Sequence, residues 1–353
     1  MIPLTPKEVV IRLARYVLGE RRVHDYLIKR GIGLRQLGNG YYENSSQDSS
    51  ENRATENGAT ENCAAPIKQQ LIFMADGKWM HGGLTDRLRG MASAYRFATE
   101  HNLDFKIFHT SPFSLQEVLQ PNNVDWTIDE KQISRNSSIA KPVLLYREDF
   151  NNDSALERQL DDKHEQFHLY SCVDTLGEKF PEYFNELFKP SPLLEEQLRH
   201  YEFQLGTNYS SYSFRFQNKL GDFKEFKFKA LSTKKKQKLL SAALQALQRE
   251  IASNDTTSVN NQNIILVTAD SPTFLAEAAK LPNVITVKGE SIHIDFNSSK
   301  NATDYLKSFT EFFLISKAAK AKLYRNTRFN TYPSNFPKYA ALLGNVPYEI
   351  VKD

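Results

Sequence analysis

Four stretches of this chain combine residue types that can grip an anion. Residues 78–90 read KWMHGGLTDRLRG and follow an apolar run that ends at Ala75. The glycine pair Gly82-Gly83 separates that run from a segment in which Leu84, Leu88, Met91 and Tyr95 recur at helical spacing. A strand, a glycine turn and a helix start present unpaired backbone N–H groups and the positive end of a helix dipole, which suit a phosphate. Arg87 and Arg89 add positive charge. The same glycines equally suit any tight strand-to-helix turn, because neither Gly-Lys-Ser/Thr nor G-x-G-x-x-G completes a nucleotide fingerprint.

The second stretch, residues 212–223, reads YSFRFQNKLGDF. Strand alternation puts Ser213, Arg215 and Gln217 on one face and Tyr212, Phe214 and Phe216 on the other. An arginine there needs a partner, either a structural carboxylate or the two oxygens of a diphosphate. In the third, IILVTADSP (264–272), Asp270 stands at a strand end as a ligand group or as the N-cap of a helix starting at Pro272. In the fourth, Glu311 and Ser316 share a helix, and Ser334-Asn335 precede another, positioned to bind phosphate or to cap. The chain contains no Asp-x-Asp and no Gly-x-Ser-x-Gly, and its histidines and two cysteines suggest no zinc cluster. His81 reads as a surface or packing residue.

The elements that must place these groups alternate. Strand-like runs are predicted at 71–75, 105–108, 143–146 and 167–170, with helical stretches between them and a long helical pattern within 190–206. A second set follows: strands at 212–216, 264–268, 284–287 and near Leu323, with helices over 234–251, 273–280, 305–317 and 336–343. Two successive sets imply two α/β domains with mainly parallel sheets, whose ligands bind beyond the carboxyl ends of the strands. The expected boundaries are 69–206 and 207–353.

Before them, residues 1–40 carry eight Lys/Arg against three acids on an amphipathic helical pattern capped at Thr5. This segment suits an anionic membrane surface or docking on the body of the protein. Residues 41–68, rich in Ser, Asn, Thr and Glu, read as a flexible linker. The formal charge of +3 excludes a polyanion-binding surface over the whole molecule, and a mean hydropathy of -0.52 with no long apolar run points to a soluble chain. With no disulfide framework and no export signal, a cytoplasmic site is expected, at most peripheral to the membrane.

In order and spacing, the four stretches resemble the GDP-fucose-dependent fucosyltransferases, the group of the nodulation, core α-1,6 and protein O-fucosyltransferases. The family's glycine loop matches Gly82-Gly83-Leu84-Thr85-Asp86-Arg87. Its His-Val-Arg-Arg-Thr-Asp-Lys-Val-Gly motif matches residues 213–221, with the phosphate-binding arginine at Arg215 and the lysine at Lys219. Its Thr-Asp-Asp strand end falls on Thr268-Ala269-Asp270, and its helical acid and Ser-Ser-Gln turn fall on Glu311 and Pro333-Ser334-Asn335. Ser213, Phe216 and Asn218 replace the motif's histidine, second arginine and aspartate, which sets the chain apart from the core α-1,6 enzymes.

The resemblance implies a GT-B fold of two Rossmann-like domains, the first on the acceptor side and the second binding the nucleotide sugar. It implies inverting, metal-independent transfer of fucose to a glycan, with GDP-fucose as the donor substrate and no cofactor; the place of such a reaction is surface polysaccharide synthesis. Donor-binding residues are expected at Gly82, Gly83, Arg87, Arg215, Lys219, Asp270, Glu311, Ser334 and Asn335. Arg215 would stabilise the leaving diphosphate. Asp86 is the first candidate for the base and Asp222 the second, although Asp86 can equally cap its helix or pair with Arg87 or Arg89. A non-catalytic nucleotide-sugar or glycan-binding relative of the same fold is the alternative.

Overall fold

The computed structural model describes residues 68–145, 153–224, 229–255, 264–297 and 299–353. The basic segment expected at 1–40 and nearly all of the linker lie outside the described residues.

The first sheet is built from β1 (Gln70–Ala75), β2 (Asp104–His109), β4 (Ala140–Leu145) and β5 (Gln166–Ser171), all parallel, in the order β2-β1-β5-β4. From Leu71 to Ala75 β1 is apolar because both its faces are covered. Leu71, Phe73 and Ala75 enter the main core, while Ile72 and Met74 enter a smaller cluster with Phe108, Leu144 and Tyr170. Helix α1 (Leu84–Glu100) crosses from β1 to β2. It lies so close to the sheet that a Cβ at Gly90 would stand 3.0 Å from the Ser171 carbonyl oxygen, so only glycine fits there without displacement. A short antiparallel pair, β3 (Leu119–Pro121) with β6 (Phe188–Pro190), flanks this unit together with α2 (Ser154–Glu157) and α3 (Phe180–Leu187).

Helix α4 (Pro192–Leu205) leads to the second sheet. Ser191 caps it, Pro192 occupies its first turn, and Gly206 ends it at φ +70°. The second sheet contains β7 (Tyr209–Phe214), β8 (Ile264–Ala269), β9 (Val284–Ile285), β10 (Lys320–Arg325) and β11 (Tyr348–Lys352). All pairs are parallel, in the order β11-β10-β7-β8-β9. Helices α5 (Thr233–Asp255) and α6 (Pro272–Ala278) pack on one face around Phe214, Leu247 and Phe274. Helices α7 (Leu306–Ile315) and α8 (Asn335–Leu343) occupy the other. Their residues Phe309, Phe312 and Tyr339 belong to the same apolar cluster as Leu88, Phe97 and Phe180, so one core joins the two sheets. Among the described residues no helix is long and apolar enough to cross a membrane.

The structure corrects the sequence reading at two elements. The strand expected at 212–216 is β7, displaced toward the N-terminus to end at Phe214. Beyond Phe214 the Asp270 carboxylate takes the Phe216 and Gln217 N–H groups, and Gln217 turns the chain at φ +58°. Arg215 therefore stands just past the strand rather than within it. Strand β11 escaped the pattern reading because it is a half-exposed edge strand with no alternation of apolar residues.

Candidate active site

The carboxyl ends of the two sheets open onto one cleft of about 540 Å³. In each sheet chain order reverses between two neighbouring strands, β1 and β5 in the first and β7 and β10 in the second. Ligands of open parallel sheets bind beyond such a switch point. Here the two switch points face each other, with Gly82, Cys172, Ser213 and Leu323 among the residues lining the space between.

The glycine loop forms one wall. Gly82 adopts φ +87°, and a Cβ there would come within 2.5 Å of Asp86 Oδ2, so no other residue fits without moving the loop. Its backbone donors are already engaged. Gly82 N donates to Asp295 Oδ2 at 2.5 Å, His81 N to Asp295 Oδ1 at 3.4 Å, and Gly83 N to Asp86 Oδ2 at 3.1 Å. Arg87, expected as a donor ligand, is buried away from the cleft lining; its Nη2 pairs with Asp295 at 2.7 Å and its Nη1 donates to His109 Nε2 and the Ser111 carbonyl. Burial and the Arg87 charge hold His109 well below the ordinary imidazole value, so its Nε2 lone pair is available to that guanidinium. The cradle read at Gly82, Gly83 and Arg87 thus exists, but in this conformation the protein's own carboxylates fill it.

Asp86 lines the cleft, with one oxygen on Gly83 N and the other 2.8 Å from Arg89. Both alternatives to its role as a base, cap and ion pair, are therefore realised. His81 is not a surface residue. It is 1% exposed, hydrogen-bonded through Nδ1 to the Ser171 carbonyl, and held at about 3 by burial and Arg87.

The second sheet supplies the opposite wall. Ser213, Arg215 and Gln217 line the cleft, joined there by Phe214, while the rings of Tyr212, Phe214 and Phe216 belong to the core beneath, so the alternation read from the sequence holds in part. Asp270 organises this wall. Its carboxylate accepts from Arg215 Nη1 at 2.6 Å, Phe216 N at 2.8 Å and Gln217 N at 2.6 Å. Burial pushes its pKa up, and Arg215 with the two N–H groups opposes that shift. The N-cap of α6 is Ser271 rather than Asp270. The Arg215 guanidinium also lies 4.9 Å from the centroid of the Phe223 ring, which fixes its plane.

Besides Arg87, two more expected residues fall outside the cleft lining. Asp222, the second candidate base, accepts from Ser271 Oγ at 2.6 Å and Thr273 N at 3.0 Å and so fastens the start of α6. Lys219 donates to Gln217 Oε1 at 2.7 Å from behind the wall. Glu311 lines the cleft; burial raises its pKa while the paired Lys307, one helical turn away, opposes the rise. Ser334 and Asn335 line it at the start of α8, where Ser334 Oγ accepts from Phe336 N. Ser316 turns back onto its own helix. Among the described residues no group of three or more His, Cys, Asp or Glu could hold a metal ion. His164 and His168 stand four apart, but they span a loop and β5 rather than one helical face.

The residues not found from sequence are His293 and Asp295. They follow β9 on a strap that crosses from the second sheet to the glycine loop. Their signal was faint: in ESIHIDF two ionisable side chains alternate with Ile292 and Ile294. His293 lines the cleft, its ring 4.7 Å from that of Phe296, with Nδ1 buried and without a hydrogen-bond partner. Burial first, then Arg215 and Arg87, lower its pKa to about 3.

Comparison with known proteins places this fold. No family model matches the sequence, and no curated protein matches it either. The structure is similar to that of NodZ alpha-1,6-fucosyltransferase soaked with GDP-fucose, with a TM-score of 0.50 at 14% identity over 81% of this chain and 95% of that one. The same enzyme co-crystallised with GDP gives the same values, TM-score 0.50 at 14% identity over 81% and 95%. A mutant of Arabidopsis thaliana FUT1 in complex with GDP has a TM-score of 0.49 at 12% identity over 95% of this chain and 79% of that one. At such identity the likeness is one of fold, and it bears out the expected GT-B-like arrangement of two mainly parallel sheets.

Proposed function

We propose that this chain is a glycosyltransferase that transfers fucose from GDP-fucose to a glycan acceptor, with the donor held mainly by the second sheet. The observation that carries the reading is the position of Arg215. It lies past the carboxyl end of β7 in a cleft shared by both switch points, oriented by Asp270, and faces the start of α8. A guanidinium fixed beforehand stabilises a departing diphosphate without the reorganisation that a mobile cation would need. The N-terminus of α8 at Ser334 and Asn335 adds backbone donors and a positive dipole end to the same side. The acceptor enters from the side of the glycine loop, and attack opposite the leaving diphosphate inverts the anomeric centre. The Gly82 N–H joins the donor only if the Asp295 strap shifts, and the Gly83 N–H only if Asp86 turns away. No metal is assigned a step; Arg215 and the α8 N-terminus supply the positive charge.

The boundary between the acceptor-side and donor-side units is proposed near residue 206. A glycan of the cell surface suits this reading, and residues 1–40 would give it a place at an anionic membrane.

Calorimetric titration with GDP, UDP and GDP-fucose tests the proposal. Tighter binding of GDP than of UDP is expected, and Arg215→Ala should weaken GDP about 10- to 100-fold, the loss of one charge-assisted pair. Absence of any nucleotide binding refutes the reading, whereas GDP binding unaffected by Arg215→Ala refutes only the role of that arginine. Fucose released from GDP-fucose separates an enzyme from a binding protein.

A further inference from the structure

The proposed reaction leaves one proton without an acceptor. The cleft carboxylates are already committed: Asp86 to Arg89 and Gly83 N, Asp270 to Arg215 and the loop, and Glu311 to Lys307. Resting on the donor reading above, we propose that His293 takes the acceptor proton and that it can do so only when the donor is bound.

The geometry supports this in three ways. The strap holds His293 firmly, because its neighbour Asp295 is clamped between Gly82 N and Arg87. The ring lies across from the glycine pair, with Nε2 3.9 Å from where a Cβ on Gly83 would be. Nδ1 is sealed from the cleft, so Nε2 is the nitrogen that the cleft can reach, and with the proton on Nδ1 it offers a lone pair.

The charges around it explain the coupling. Asp86 from α1, Arg215 and Asp270 from the ends of β7 and β8 and Glu311 from α7 line the same cleft, Arg87 acts on it from behind that lining, and Asp295 stands two residues along its own turn. Of these, Arg215 and Arg87 oppose an imidazolium, after burial itself. Burial and these two guanidinium groups therefore keep the imidazole neutral and a poor base. A donor diphosphate brings two negative charges to Arg215 and offsets the part of the opposition that Arg215 supplies, raising the basicity of Nε2 when a base is required, while burial and Arg87 continue to act.

The step balances. The acceptor oxygen forms a bond to the anomeric carbon while the bond from that carbon to the β-phosphate oxygen breaks, its electron pair leaving with GDP. The acceptor O–H proton passes to His293 Nε2 and then to solvent. The products are the glycoside, GDP and one proton.

The test uses the full chain and its His293→Gln variant. GDP binding, measured by calorimetry, should stay within about two-fold, which also shows that the variant folds. Turnover of GDP-fucose, followed as GDP release with water as acceptor, should fall about 10²- to 10⁴-fold. In the wild-type chain, the ¹⁵N resonance of His293 should titrate at least about one pH unit higher with GDP than without. Turnover by His293→Gln at the wild-type rate overturns the proposal, as does a His293 titration that GDP does not move. Failure of the wild-type chain to bind GDP at all overturns the donor reading, and this inference with it.

Discussion

Replacing Asp295 by alanine should be among the most damaging single changes in the described chain. The carboxylate is 3% exposed and the Arg87 side chain 5%. Alanine removes two short bonds, Arg87 Nη2 at 2.7 Å and Gly82 N at 2.5 Å, and leaves a guanidinium buried without its counter-ion. Hydrogen bonds to charged groups are worth roughly 1.5–3 kcal/mol each. Breaking a buried ion pair from one side costs about 3–5 kcal/mol, because the remaining charge stays desolvated. Both routes lead to about 3–6 kcal/mol, which at about 2.1 cal/mol/K of unfolding entropy per residue corresponds to a fall in Tm on the order of 4–8 °C for a chain of this size. Urea unfolding monitored by circular dichroism and fluorescence measures it. A double replacement, Arg87→Met with Asp295→Ala, removes the stranded charge and should recover at least about half of the loss. Asp295→Ala within about 1 kcal/mol of wild type, or a double mutant worse than the single by the full cost of Arg87→Met, would falsify the stabilising role of the Asp295–Arg87 pair.

Two further outcomes follow from the same geometry. His81, His168 and His293 each sit at about 3 in the folded chain because burial disfavours their charged forms. The unfolded chain takes up these protons near 6.5, so their contribution to stability is complete above that value and is lost as the pH falls below it. Each loses at most about 2 kcal/mol between pH 7 and pH 5, and denaturant midpoints measured across that range should fall steadily; a flat profile contradicts neutral burial. Gly82→Ala forces a Cβ against Asp86 Oδ2 at a backbone angle of +87° and should cost about 1–3 kcal/mol, read by thermal unfolding, with no cost if the loop simply relaxes.

Much of the architecture was legible because it depends on local pattern. Continuous apolar runs marked β1 and β8, buried on both faces, and Pro190 and Gly206 enclosed the helical pattern that forms α4. The alternation of Tyr212, Phe214 and Phe216 against Ser213, Arg215 and Gln217 placed the polar three toward the cleft, since period 2 follows from the strand backbone itself, although Phe214 also borders it. A sequence cannot state which distant group meets which. Asp270 was legible as a polar residue at a strand end, but whether it would cap a helix or hold Arg215 depended on two loops meeting across strands β7 and β8. The glycine loop was legible as a cradle for an anion, yet its occupant came from more than two hundred residues away, as Asp295. His293 carried almost no signal, because its neutral state and its position opposite Gly83 are properties of the assembled cleft. Local propensity and periodicity determined the elements; burial, which removes water and makes each charge choose a partner, decided the site.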